Sequence, residues 1–471
     1  MLPQGIAATF CWRTVRSLAV AASQFTVAAG MVAASVRRGA VGVRLVVAPT
    51  QVERGRCFDA VDVELLVGAT MVVAAVHSRA IGVWWMVSPR SRFGGWRVVL
   101  PYVVSVLIGL LCAEAALRLV GARFATSFYV VDPDLGWALR PGADGHYTEE
   151  AVVPIHINSQ GMRDAIEHST LKRAGSYRVA ILGDSFAESM QVPLEQSFPK
   201  LMEQDLKSCG LEDPEVLNFG VQGYGTAQEL LTWRLRASQF KPDFVILLFY
   251  TGNDLYNNHR RLNPTNADAA PYFVMVDGKP VLQPALAKPG PLREVWATAA
   301  RYSRLAQFLT DAFYKVSRTS TPKNTAEFGE GYMDRLIYAP PKHVAMEEAW
   351  AVTEALLPVV RDEVGGGSRF LLALASSGVQ VHPEERVRQE FLKFVGGTDL
   401  FYTENRLAQV AAGNGIRTVD LGQAMLQQAN GTRTFFHGFP GNTGKGHWNT
   451  EGHRFVSREL AKQVCSDIET K

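Results

Sequence analysis

Asp243-Phe-Val-Ile-Leu-Leu-Phe-Tyr250 runs without a polar residue between Phe244 and Phe249 and leads straight into Thr251-Gly-Asn-Asp254. Such an uninterrupted apolar run fits a strand buried on both faces, as in a parallel sheet. Working outward, Arg178–Leu182 and Val216–Asn218 read as two earlier strands, and Arg369–Ala375 and Ile416–Leu421 as two later ones. Helical stretches fall near Ser197–Ser208, Ala227–Phe240 and Thr403–Ala412, and Thr450–Val464 closes the chain. This alternation predicts a doubly wound, three-layer α/β/α domain over residues 177–471 with a five-stranded parallel sheet. Residues 256–342 are too long for a simple connection and rich in Pro and Asn, so they read as an insertion able to form a lid or wall of the site. No internal repeat is evident.

In open α/β sheets, ligands sit at the carboxyl ends of the strands. Three segments follow predicted strands: Gly183-Asp-Ser-Phe186, Asn218-Phe-Gly-Val-Gln-Gly-Tyr-Gly225 and Thr251-Gly-Asn-Asp254. A fourth, Gly446-His-Trp-Asn-Thr-Glu-Gly-His453, precedes the last helix. Their residue types suit acyl transfer. A serine at a strand-to-helix turn presents its hydroxyl, with its own N–H near the positive end of the helix. A glycine admits substrate to the backbone and an asparagine adds an amide donor, so three donors make an oxyanion hole. A histidine takes the serine proton and returns it to the leaving group.

These four segments resemble the blocks of the SGNH/GDSL hydrolase superfamily over about residues 150–471, in the style of membrane-anchored bacterial envelope members with a flavodoxin-like sheet. The resemblance implies Ser185 as nucleophile and His447 as general base. It implies an oxyanion hole of Ser185, Gly223 and Asn253, with Gly220 as the lesser choice of glycine. Asp184 takes a structural role. One departure stands out: the family usually carries an Asp two or three residues before the catalytic His, and those positions here are Lys445 and Gly444. Three accounts stay open: a backbone carbonyl serving a Ser–His dyad, a carboxylate from elsewhere (Asp420 or Glu451), or a degenerate site. Lys445 beside His447 would also disfavour imidazolium.

Other residues carry plainer expectations. His453 is read as packing inside the last helix, and His156, His259 and His437 as surface or loop residues. Trp448 is read as core, although it stands where an acyl pocket would be lined. Glu188 is read as a solvated or capping carboxylate or as a hydrogen-bonding member of the site. Arg163 is read as a surface ion pair, with an anionic substrate as the alternative.

Before the α/β domain, residues 121–176 hold turn signals such as Asp132-Pro133 and short alternating runs such as Val152–Ile157, giving a small β-rich segment. Val98–Ala113 is 16 residues without a charge, about 24 Å as a helix. Glu114 and Arg118 can pair at i,i+4, which extends the span to a transmembrane helix over 98–120. Residues 86–97 form a basic leader with Arg90, Arg92 and Arg97, which leaves the N-terminus in the cytoplasm and the catalytic domain periplasmic or extracytoplasmic. A cleaved signal peptide with its site near Ala113–Ala116 is the rival reading. Residues 1–85, mainly Ala, Val, Gly and Arg and without sustained periodicity, read as an extension outside the native protein that starts at Met86; weak membrane segments such as Val61–Val76 are the competing reading.

Across 471 residues, 47% are hydrophobic, and 48 Lys+Arg stand against 45 Asp+Glu. That supports a full core and gives no global reason to expect nucleic acid as a partner. None of the five cysteines lies in a CxxC or CxxH pair, so a structural zinc site has no support, and the expected acyl-enzyme chemistry implies no metal or organic cofactor. Cys209 and Cys465 lie near the ends of helices flanking the first sheet strand, and export would allow them to form a disulfide. The expected activity is a carboxylic ester hydrolase working through an acyl-enzyme on an ester or acylated glycan. An O-acyltransferase for envelope polysaccharide is the first alternative, and a catalytically silent carbohydrate-binding domain is the second.

Overall fold

A computed structural model of the chain describes residues 96–469, except 123, 125–127, 287–289, 311, 313–335 and 366–368. The expectations for residues 1–95, including the extension, Met86, Val61–Val76, Arg90 and Arg92, lie outside the described residues.

The first element is helix α1, Trp96–Leu119. Leu100–Leu119 is long and apolar enough to cross a membrane, and Leu100, Leu107, Ile108 and Leu111 present their side chains outward. The Glu114–Arg118 pair forms at 2.6 Å. Glu114 also accepts the backbone N–H groups of Arg304 and Leu305 and the Ser303 hydroxyl. A polar anchor therefore fastens the insertion to the last turns of α1, beside a small apolar cluster of Ala113, Leu117 and Leu305.

Two antiparallel hairpins follow, β1 (Tyr129–Asp132) with β2 (Gly136–Leu139), and β3 (Asp144–Tyr147) with β4 (Val153–His156). Phe128, Leu135, Leu139, Val153 and Ile155 bury themselves against Met190, Val221, Tyr224 and Leu231. The β-rich segment thus caps the loops that leave the main sheet.

That sheet consists of β5 (Tyr177–Gly183), β6 (Pro214–Asn218), β7 (Phe244–Tyr250), β10 (Arg369–Ala375) and β11 (Arg417–Asp420). Its order is β11-β10-β7-β5-β6, and every pairing is parallel. The doubly wound five-stranded fold expected from the sequence is the fold observed. Alternation explains the two cores. Val245, Leu247 and Phe249 face helices α4 (Thr226–Leu235), α7 (Val344–Val364) and α9 (Tyr402–Gly413). Phe244, Ile246 and Leu248 face α3 (Phe198–Lys207), α10 (Leu421–Thr432) and α11 (Thr450–Glu469). At roughly 1.5–3 kcal/mol for each fully buried large aliphatic or aromatic side chain, these two layers dominate the fold's stability.

Helices α7, α8 (Glu385–Val395) and α10 add to the set anticipated from sequence. Pro358 inside α7 and Gly422 and Gly431 inside α10 are breakers that mask the helical pattern. The insertion contains hairpin β8–β9 (Tyr272–Val276, Lys279–Gln283) and helix α6 (Pro291–Tyr302). Phe273 and Met275 pack with the α4 and α7 core. Cys209, just beyond α3, is disulfide-bonded to Cys465 in α11, with their Cα atoms 5.8 Å apart.

Candidate active site

Ser185 opens the short helix α2 (Ser185–Glu188) directly after β5. Its turn is held by Asp184, which caps the helix by accepting the Phe186 N–H at 2.9 Å. Ser189 ends it in the left-handed region at φ 63°. The loop after β6 passes close over this turn. A Cβ on Gly220 would stand 2.5 Å from the Glu188 nitrogen and from the Ala187 Cβ. Asn218 fixes the approach, donating to the Ala187 carbonyl at 2.7 Å and accepting the Gly220 N–H at 3.0 Å.

Gly220 is therefore a packing glycine whose N–H is already used. Gly223 differs. It sits at φ +75°, and a Cβ there would meet only Trp137, at 3.5 Å. Among the described residues, neither the Gly223 N–H nor the Ser185 N–H has a protein acceptor. After β7, Asn253 caps α5 (Asp254–Asn257), and Asn257 donates to its side-chain oxygen at 3.4 Å. Its amide also hydrogen-bonds the Asp184 carboxylate. Burial pushes the Asp184 carboxyl up, against the pull of its hydrogen bonds.

His447 arrives on the loop before α11. Its Nε2 lies 2.9 Å from Ser185 Oγ, across 262 residues of sequence. The ring packs on Phe186, which also carries Trp448 and Tyr250. On the far side of the ring stands a carboxylate of the β-rich segment. Glu150 Oε1 is 3.0 Å from His447 Nδ1, and Glu150 Oε2 accepts the His447 backbone N–H at 3.3 Å. Burial alone would raise the Glu150 carboxyl, yet its bonds to His447 and the charge there hold it below the ordinary value.

The carboxylate that meets His447 comes from elsewhere in the chain, as one of the three accounts allowed, but is neither of the two residues named for it. Asp420 caps α10 by accepting the Gln423 N–H, and exposed Glu451 pairs with Arg454. Glu150 lies 297 residues before His447, where no spacing rule reaches it. The available signal was indirect. Gly446 takes φ +73°, and a Cβ there would stand 2.6 Å from Glu150 Oε1, so glycine at 446 makes room for the carboxylate.

Other residues also move from their expected places. His437 lies in a loop, as one of its two readings had it, but is buried there. Its Nδ1 bonds the Gly446 carbonyl at 2.8 Å, bracing the His447 loop, and burial lowers its pKa to about 4. Arg163 is buried too, donating to the backbone carbonyls of Ser189 and Val192 just beyond α2. Desolvation lowers its pKa to about 10. A role on substrate is replaced by a role in fixing the nucleophile turn. Glu188 is buried beside the Tyr129 hydroxyl at 2.9 Å, and burial raises it to about 8. His453 packs on Phe198 and accepts its N–H, as its core reading required. Trp448 is core, exposed His156 pairs with Asp144, and His259 pairs with Glu348.

Trp137 flanks the Gly223 loop, donating from Nε1 to the Gln222 carbonyl at 2.9 Å. Two walls of the site, Trp137 and Glu150, thus belong to the β-rich segment. Among the described residues no group of three His, Cys, Asp or Glu is placed to hold a metal ion. Chemically, the arrangement can deprotonate a serine hydroxyl beside free backbone donors.

No protein-family model matches the chain, and no curated protein matches it. Among solved structures it is similar to a lipase/acylhydrolase from Enterococcus faecalis, at 14% identity over 62% of this chain and 96% of that one, with a TM-score of 0.31. It is similar to the acetyl xylan esterase AlAXEase at 16% identity over 61% and 99%, TM-score 0.33. A catalytic mutant of an acetylxylan esterase from Geobacillus stearothermophilus matches at 12% identity over 62% and 96%, TM-score 0.33.

Proposed function

We propose that the chain is a serine esterase of the SGNH/GDSL type. The observation that carries this reading is the 2.9 Å contact between Ser185 Oγ and His447 Nε2. Ser185 attacks an ester carbonyl while His447 takes its proton. The oxyanion is received by the Ser185 and Gly223 N–H groups and the Asn253 amide. His447 then gives the proton to the departing alcohol, and water releases the acid from the acyl-enzyme. The Ser–His contact favours turnover over silent glycan binding.

The apolar span Leu100–Leu119 supports a membrane-anchored enzyme, and the Cys209–Cys465 bond supports an oxidising, extracytoplasmic side. An acylated envelope glycan fits that placement. The same span favours one second reading, in which a polysaccharide hydroxyl rather than water resolves the acyl-enzyme. Acetylated glycan formed without net acetate release would select it.

The full chain in detergent, treated with a fluorophosphonate probe, is expected to label at Ser185 alone, as mapped by peptide mass. A folded protein that stays unlabelled would sink the esterase reading. Asn253→Ala removes one oxyanion donor and is expected to lower kcat by about 10²–10³-fold with KM little changed. Steady-state kinetics on an aryl acetate would check it, and a change confined to KM would place Asn253 outside the oxyanion hole.

A further inference from the structure

We infer that Glu150 is the positioning carboxylate of this site, so that the β-rich segment next to the membrane helix completes the catalytic machinery. The inference rests on the esterase reading and adds a residue to it.

Three independent features converge. One carboxylate grips both the ring Nδ1 and the backbone N–H of His447. That double hold fixes ring rotation and the loop together. The tautomer follows, because a carboxylate at Nδ1 requires the proton there and leaves the Nε2 lone pair facing Ser185 Oγ at 2.9 Å. Second, Gly446 takes φ +73°, and a Cβ there would stand 2.6 Å from Glu150 Oε1 and push the carboxylate from its place, while the His437 ring holds the Gly446 carbonyl. Third, Glu150 is carried by a segment with its own apolar seat against Met190 and Val221, which flank the nucleophile turn and the oxyanion loop. The carboxylate is therefore delivered on a packed element. When Ser185 attacks, its proton passes to Nε2, and the imidazolium so formed gains the negative charge of Glu150 beside Nδ1–H. Glu150 keeps its charge throughout and exchanges no proton.

Glu150→Gln keeps the size and an acceptor oxygen but removes the charge. In the full chain, kcat for an aryl ester is expected to fall by about 10²–10⁴-fold with KM little changed. The acid limb of the kcat/KM profile is expected to move to lower pH, because imidazolium loses its counter-charge. Glu150→Asp, which keeps the charge on a shorter arm, should recover part of the rate and return the limb toward its parental position. A merely structural role would leave the limb in place in both variants. If the parent labels at Ser185 and Glu150→Gln retains parental kcat and pH profile, this inference is overturned while the esterase reading stands. If the parent neither labels nor turns over, the esterase reading fails, and this inference with it.

Discussion

Ser185→Ala and His447→Ala are each expected to lower kcat by roughly 10⁵–10⁶-fold, and the double variant to be no worse than either single one. The hydroxyl and the imidazole act on one proton, so removing either partner removes the same step. What survives is the contribution of the oxyanion donors and of substrate binding, roughly 10³-fold over water. Additive losses in the double variant would mean that the two residues act in separate steps, against the 2.9 Å contact between them. Single-turnover kinetics with an aryl acetate would separate loss of acylation from loss of deacylation. A His447→Ala variant that still acylates at the parental rate would assign proton removal to another group. His437 also packs on Phe186, but its Nδ1 is engaged by Gly446 and burial lowers its pKa to about 4.

The middle of the sheet was legible because β7 and β10 are apolar on both faces. Phe244–Tyr250 and Arg369–Ala375 declare themselves without help from partners, since a parallel strand between two helical layers needs no polar face. The chemistry at the strand ends was legible for a related reason. Ser185, Gly223 and Asn253 each follow their strand within a few residues, so the topology converges them. Glu150 has no such tether. It reaches His447 only because the two small hairpins bury their apolar side chains on the loops around Met190 and Val221, a tertiary event that no local pattern encodes. The burial of Arg163 and His437 is hidden from the sequence for the same reason. A charged or titratable residue in a loop reads as surface until backbone carbonyls that accept its protons are brought to it, as those of Ser189 and Val192 are for Arg163 and that of Gly446 is for His437.

Reducing the Cys209–Cys465 bond, or replacing both cysteines with serine, is expected to cost roughly 5–6 kcal/mol of stability. The two cysteines stand 256 residues apart, and a cross-link closing so long a loop removes much of the unfolded chain's freedom. For a domain of this size the loss corresponds to a Tm lower by roughly 5–15 °C. The bond ties α3 to the far half of α11, and α11 begins at Thr450, three residues after His447. Its loss should therefore advance thermal inactivation while leaving kcat at 25 °C near the parental value, since the α11 end next to the site keeps its packing on Phe198 through Trp448 and His453. Calorimetry of the parent with and without reductant, beside the double-serine variant, would read the shift. Equal Tm values, together with two free thiols in protein isolated without reductant, would remove both the stabilising role and the support that this bond gives to an oxidising compartment. A matching fall in kcat at 25 °C would instead mean that strain along α11 reaches His447, coupling the oxidation state of the domain to its catalytic histidine.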